Sequence, residues 1–167
     1  MPTTSPQSAA QTRRAMALEL KVPPVLLFAL LAAAMYGLAR ALPAWILAVP
    51  ARIVAAGALG AIGAVVALAG VAAFRRSRTT VNPHAPEKAS AVVSHGVYRW
   101  TRNPMYLGLL LGLAGWALFL ANAAALVGVP AFVAWMNRFQ IGPEERALAA
   151  KFGPEYASYC GCVRRWL

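Results

Sequence analysis

Acid is what this chain lacks. Its 167 residues contain five carboxylates, every one a glutamate, against sixteen Lys and Arg, which gives a formal net charge of +11. Charge of either sign is scarce at 13%, while 60% of residues are hydrophobic. A soluble domain of this length carries about a quarter charged residues, so an ordinary soluble domain is excluded and a single domain in lipid is expected. The positive excess would raise nucleic-acid binding in a soluble protein. Here the basic residues fall between apolar runs, where the positive-inside effect accounts for them, and no nucleic-acid partner is expected. Cysteine and histidine are also sparse. Cys160 and Cys162 form Cys-Gly-Cys on the side expected to be cytoplasmic, where thiols stay reduced. With His84 and His95 they make four possible zinc ligands, but the ligands are far apart and match no common zinc module, so no metal is expected.

What is present in quantity is apolar sequence. Four runs stand out, over 22–38, 53–74, 105–120 and 123–139. About 20 helical residues cross a hydrocarbon core of roughly 30 Å. The third and fourth runs are slightly short and are separated only by Ala121-Asn122, which suits a tight turn between two helices of a hairpin. Pro23, Pro24, Pro43 and Pro50 fall at run ends, while Pro130 lies inside the fourth run and predicts a kink there. The expected fold is all-α: a polytopic membrane protein with four transmembrane helices and a short C-terminal amphipathic helix. The expected divisions are a tail over 1–21, disordered over its first 12 residues, two N-terminal helices over 22–78, and a C-terminal catalytic region over 79–167.

The basic residues predict the orientation. Arg13, Arg14, Lys21, Arg75, Arg76, Arg78, Lys88, Arg99, Arg102, Arg138, Arg146, Lys151, Arg164 and Arg165 flank one side, and Arg40 and Arg52 the other. Fourteen against two places both termini and the central loop in the cytoplasm, for a bacterial protein at the inner membrane. A cleaved signal peptide competes for the first run, through Arg13-Arg14 and Ala39-Arg-Ala41, but the long polar lead and long apolar run favour a retained helix. In the second run, Gly57, Gly60, Gly63, Gly70 and many alanines allow close helix packing; a groove for a lipid chain is the alternative.

Two polar clusters bracket the hairpin. In the first, Pro83 and Pro86 preclude a long helix, Ser90 to Val93 is short and apolar, Gly96 supplies a turn, and Pro104 opens the third helix. A helix start attracts anionic groups, and Tyr98, Trp100 and Tyr106 suit a flat ring or a cation. An interfacial aromatic belt with lipid-binding arginines is the competing reading. In the second, Gly142-Pro143 ends or interrupts the fourth helix, and Glu144-Glu145 opens a new one. Two acids in a first turn are ordinary capping chemistry. Yet they are two of five acids, beside a membrane, and suit an amine, a ribose or a sulfonium. Glu144, Leu148, Phe152 and Glu155 are spaced so that one short helix turns an acid inward.

The ordered combination Gly-Val-Tyr-Arg-Trp-Thr-Arg-Asn-Pro-Met-Tyr-Leu-Gly, then Glu-Glu, then Phe-Gly-Pro-Glu-Tyr resembles the isoprenylcysteine carboxyl methyltransferase family, grouped with the phospholipid N-methyltransferases among integral membrane methyltransferases. The resemblance covers about residues 79 to 166. It implies S-adenosylmethionine, released as S-adenosylhomocysteine, in a pocket of the C-terminal half. By position it implies cofactor contacts at Ser90, Ala91, Val92, Val93, Tyr98, Asn103, Pro104, Met105, Tyr106 and Glu144, with His84 nearby. Asn103 stands where eukaryotic members have His, and Gln140 where prenylcysteine enzymes have a substrate-contacting Arg. The loss of that cation argues against a carboxylate substrate.

The reading is a membrane methyltransferase with its centre at the cytoplasmic interface, acting on a lipophilic acceptor delivered from membrane lipid. Positioning supplies most of the acceleration, Glu144 or Glu145 is the base where one is needed, and Arg102 holds cofactor charge. A phospholipid amine or a small thiol keeps the chemistry and changes the acceptor. A nicotinamide-dependent membrane reductase and a non-enzymatic membrane protein are the alternatives from other classes.

Overall fold

The computed structural model describes residues 19–77 and 91–167. His84 and Ser90, the rest of residues 78–90 and residues 1–18 of the N-terminal tail, with the basic residues they carry, lie outside the described residues.

Proline and glycine punctuate the helices as the sequence predicts. Helix α1 covers Pro24–Ala41 and opens on proline at its first position. A short 3₁₀ turn, Pro43–Trp45, leads toward α2, Arg52–Arg76. Another 3₁₀ turn, Gly96–Arg99, precedes α3, Pro104–Leu120, which again starts on proline. Among the described residues there is no strand, only an isolated bridge between Ile46 and Asn122.

Two helices, α1 and α2, are long and apolar enough to cross a membrane, and α3 is a shorter apolar helix of 17 residues. Only 17% and 11% of the most apolar stretches of α1 and α2 are buried within the chain. A core helix of a soluble protein would show the opposite, so Val54, Val65 and Leu68 on α2 need an apolar solvent. The fourth run is less regular than expected. Residues 123–127 belong to the hairpin turn, ending in the 3₁₀ segment Ala125–Val127; α4 then covers only Gly128–Trp135.

Departure from α geometry occurs not at Pro130 but at a π turn, Met136–Ile141. Pro130 is the third residue of α4, in the first turn, where its missing N–H costs no α bond. The π turn precedes Pro143, whose ring would crowd the carbonyl of Phe139 four residues earlier in a regular helix. The wider turn absorbs that conflict: the Gly142 N–H bonds back to Asn137, and the path continues in helical geometry into α5, Gly142–Phe152. Gly142-Pro143 thus interrupts α periodicity without ending the helix. The single C-terminal helix of the sequence reading is two: Gly153, at φ +50, turns the chain into α6, Pro154–Cys162, so Glu155 lies on a different helix from Glu144.

Helix α3 is central. On one side it packs against α2 through small residues. A Cβ at Gly63 would come within 2.6 Å of the Gly108 carbonyl, and one at Gly115 within 2.8 Å of the Ala56 carbonyl. Gly70 accommodates Pro104 and Met105. Gly57 and Gly60, counted with them in the sequence, meet nothing. On its other side α3 joins α1 and α4 around Met35, Leu113, Phe132 and Met136, all buried.

Asn122 does more than turn the hairpin. Its Oδ1 accepts from the Ala124 and Ala125 amides at 3.0 and 3.3 Å, and its Nδ2 donates to the Leu42 carbonyl at 2.9 Å. With Leu47 N–H to Ala121 O and Ala123 N–H to Trp45 O, this ties the hairpin tip to the α1–α2 connection at one end of the molecule. The polar clusters gather at the opposite end of α3.

Candidate active site

The chain entering α3 is held by the C-terminal tail. The Arg102 N–H donates to Arg164 O at 2.9 Å, and the Thr101 hydroxyl and Asn103 amide both donate to Arg165 O. The Arg102 guanidinium donates through Nη1 to Cys160 O and Val163 O, and through Nη2 to Glu145 at 2.9 Å. Arg165 meets the same Glu145 carboxylate from the other side at 2.5 Å. Glu145 is therefore the hinge pin between α5, the α3 entry and the tail.

Its neighbour Glu144 faces inward. Tyr106, in the first turn of α3, donates its hydroxyl to Glu144 Oε1 at 2.5 Å, and the Gln140 amide donates to the same oxygen at 2.5 Å. Gln140 is 2% exposed, held in the π turn one helical turn before Glu144. No cation among the described residues forms an ion pair with Glu144.

The two adjacent acids therefore titrate in opposite directions. Burial drives Glu144 up, the hydrogen bonds from Tyr106 and Gln140 pull it partly back, and its carboxyl comes to rest at about 7. Burial also raises Glu145, but hydrogen bonds from Arg165 and Arg102 outweigh it and hold its carboxyl below the ordinary range. The difference lies in their partners: neutral donors at Glu144, guanidinium groups at Glu145.

Beside this pair lies a narrow cavity of about 70 Å³ lined by Phe74, Ala91, Val92, Val93, Tyr98, Arg102, Leu148, Tyr156 and Tyr159. Phe74 meets Tyr98 edge-on at 5.2 Å, and the Tyr159 hydroxyl donates to Tyr98 O at 2.8 Å. Burial, followed by the charges of Tyr159 and Glu144, raises the Tyr98 phenol, which keeps it a neutral donor. Arg102 Nε is buried there without a partner among the described residues. A second, more polar groove with Ser94, Arg99, Glu155 and Ser158 shares Val92 and Tyr159 with this cavity.

The residues singled out in the sequence separate into three groups. Ala91, Val92, Val93, Tyr98 and Arg102 line the cavity; Tyr106, Gln140 and Glu144 form a hydrogen-bonded cluster beside it, with Glu144 half-buried. Asn103, Pro104 and Met105 are engaged elsewhere, the first by the tail and the others by Gly70. Trp100 is 77% exposed, because the 3₁₀ turn that buries Tyr98 rotates it outward. The sequence reading missed Phe74 and Tyr159. Their signal was spacing: Phe74 lies one turn beyond Gly70 on α2, and Tyr159 lies three residues after Tyr156 on α6.

A phospholipid methyltransferase family model matches residues 51–155. An uncharacterized protein of Haemophilus influenzae is 52% identical over 63 residues, 38% of this chain and the whole of that protein. Protein-S-isoprenylcysteine O-methyltransferase A of Arabidopsis thaliana is 37% identical over 78 residues, 46% of this chain and 39% of that enzyme. The Saccharomyces cerevisiae protein-S-isoprenylcysteine O-methyltransferase is 37% identical over 76 residues, 44% of this chain and 30% of that enzyme. The chain thus spans well under half the length of the two named enzymes it matches. No solved structure matches it. With its model match running from the start of α2 to the start of α6, across the cavity and both glutamates, this chain belongs to the phospholipid methyltransferase family.

Proposed function

We propose that this chain is an S-adenosylmethionine-dependent methyltransferase, held in the membrane by α1, α2, α3 and the α4–π segment, with its reaction centre at the cytoplasmic face. The observation that carries the reading is an aromatic-lined cavity whose wall residue Tyr98 feels the charge of Glu144, a half-buried carboxylate with no ion pair among the described residues. The chemistry of the lining suits the cofactor: Phe74, Tyr98, Tyr156 and Tyr159 offer faces for an adenine ring or a sulfonium, and Arg102 Nε has no partner among the described residues. When bound, the cofactor supplies an activated methyl group.

The chain's own part is positioning and proton management. Tyr98 and the Val92-Val93 backbone close one wall of the cavity, and burial of Val93 keeps that wall dry. Tyr106 and Gln140 hold Oε1 of Glu144 in one orientation. A carboxyl near neutrality takes a proton from an acceptor group at cytoplasmic pH, so Oε1 or Oε2 of Glu144 is the proposed base. Glu145 holds Arg102 and Arg165 in place and does not exchange protons.

The acceptor is amphipathic or lipid-like and enters from the bilayer. The amide of Gln140, turned toward Glu144, provides no charge for an acceptor carboxylate. The cluster is net acidic, which favours an amine or a neutral thiol over a carboxylate. Radiolabelled methyl transfer from S-adenosylmethionine into a native lipid extract, a prenylcysteine analogue and a small thiol tests this directly. Transfer into a lipid amine or thiol is expected; absence of transfer together with absence of adenosylhomocysteine binding overturns it, and NADPH binding in its place would mark a reductase.

A further inference from the structure

The π turn that carries Gln140 is clasped from outside by residues that precede α1. In a regular helix the Phe139 carbonyl would accept from residue 143, but Pro143 has no N–H. The Leu20 amide supplies that donor at 3.0 Å. Next to it, Glu19 reaches two cations on either side of the proposed base. Its Oε1 pairs with Arg138 at 2.9 Å in the π turn, and its Oε2 with Arg146 at 2.6 Å in α5. Gln140 and Glu144 fall between those anchors in sequence. Leu20 adopts φ +59, a left-handed conformation that a leucine takes only when its surroundings impose it.

From these contacts we infer that Glu19 is a positioning residue: with Leu20 it clasps the π turn and fixes Gln140 and Glu144 for methyl transfer. This rests on the methyltransferase reading of the site. A purely stabilising role is too weak to explain the arrangement. The Arg138 and Arg146 side chains are 49% and 61% exposed, and ion pairs with such partners add little to global stability. A π turn, by contrast, has poor hydrogen-bond geometry and recurs at functional sites, so local support there acts on local order.

The test uses the full chain in detergent or nanodiscs, with Glu19→Gln and the charge reversal Glu19→Lys/Arg138→Glu/Arg146→Glu. Glu19→Gln is expected to lower kcat about tenfold while KM for S-adenosylmethionine and the melting temperature stay near wild type. Amide hydrogen exchange over 137–144 should rise in the same variant, and the charge reversal should restore both kcat and protection. Unchanged kcat and exchange in Glu19→Gln would overturn the clasp, as would a loss of melting temperature proportionate to the loss of rate. If the wild-type chain transfers no methyl group, the methyltransferase reading fails, and exchange over 137–144 alone decides whether the clasp exists.

Discussion

The Tyr106 hydroxyl donates to Glu144 Oε1 at 2.5 Å, across 38 residues of chain, and joins the first turn of α3 to the first turn of α5. The phenol O–H is the donor and the carboxylate oxygen the acceptor, and Gln140 donates to the same oxygen. Glu144 is thereby oriented before any substrate arrives, which is the preorganisation that methyl transfer needs.

Glu144→Gln should therefore lose proton uptake while keeping the shape of the cluster. A positioned general base contributes about 10²–10⁴-fold, so a fall of at least about a hundredfold in kcat is expected for an acceptor that must be deprotonated. Cofactor affinity should weaken about tenfold in both Glu144→Gln and Tyr106→Ala, as expected when one buried charge-assisted hydrogen bond is lost. Calorimetric titration with adenosylhomocysteine checks this; unchanged affinity in both variants would remove the two residues from the cofactor site.

The same carboxyl predicts a pH dependence of stability. Its folded value of about 7 lies above the ordinary carboxyl value of 4.5, so the folded state binds the extra proton between them. Glu144's contribution is full below about 4.5 and is lost as pH rises through 7; over that window the destabilisation is on the order of 3 kcal/mol. Glu144→Gln should flatten the fall in melting temperature between pH 5 and about 8. A wild-type melting temperature that rises steadily across this interval in step with the variant's would contradict the assignment.

Helix packing gives a sharper contrast within one stretch of α2. Gly63→Ala drives a methyl group toward the Gly108 carbonyl and should cost about 1–3 kcal/mol, because backbone cannot step aside. Gly60→Ala meets open space and should be neutral or stabilising by up to about 1 kcal/mol through helix propensity. Denaturation in a fixed detergent compares the two, and equal losses would mean that α2 does not lie against α3 in this register.

How much of this was legible without the structure follows from where the signals are local. Proline starts at Pro24 and Pro104 and the small-residue face at Gly63 and Gly70 were readable because they depend on neighbours in sequence. The Glu144-Glu145 pair stood out in the sequence, but not that its members have different partners, since Arg102 and Arg165 reach Glu145 from 43 and 20 residues away. The π turn was hidden because Pro143 signals only trouble for a helix; the relief lies with the Leu20 amide, far off in sequence. The bond from the Asn103 amide to the Arg165 carbonyl was equally hidden, since 62 residues separate the two.

Orientation is testable with single cysteines in a chain whose Cys160 and Cys162 are replaced by serine. Ala121 is a poor reporter because it is 1% exposed in the hairpin turn. Ala44 in the α1–α2 connection and Ala157 on α6 are exposed and lie at opposite ends. An impermeant thiol reagent applied outside intact cells should label a cysteine at 44 and spare one at 157, in keeping with the basic residues around α5 and α6. The reverse pattern would invert the molecule, and labelling of both would break the hairpin arrangement.

Substrate choice turns on Gln140. It is buried between Tyr106 and Glu144, so a substitution there changes the charge of the cluster without altering the cavity walls. Gln140→Arg places a guanidinium against Glu144, which should draw the carboxyl well below neutrality and end its use as a base for amine acceptors. The added cation should also raise affinity for a prenylcysteine carboxylate, since a charge-assisted contact is about 1.5–3 kcal/mol, or roughly ten- to a hundredfold. The expected result is a crossover: the wild-type chain methylates an amine or thiol acceptor and is poor with the carboxylate, and the variant reverses that order. Parallel assays with a prenylcysteine analogue, a lipid amine and a small thiol measure it. Efficient transfer to the prenylcysteine carboxylate by the wild-type chain would refute the argument, because it would require a cation at the acceptor site that Gln140 does not provide.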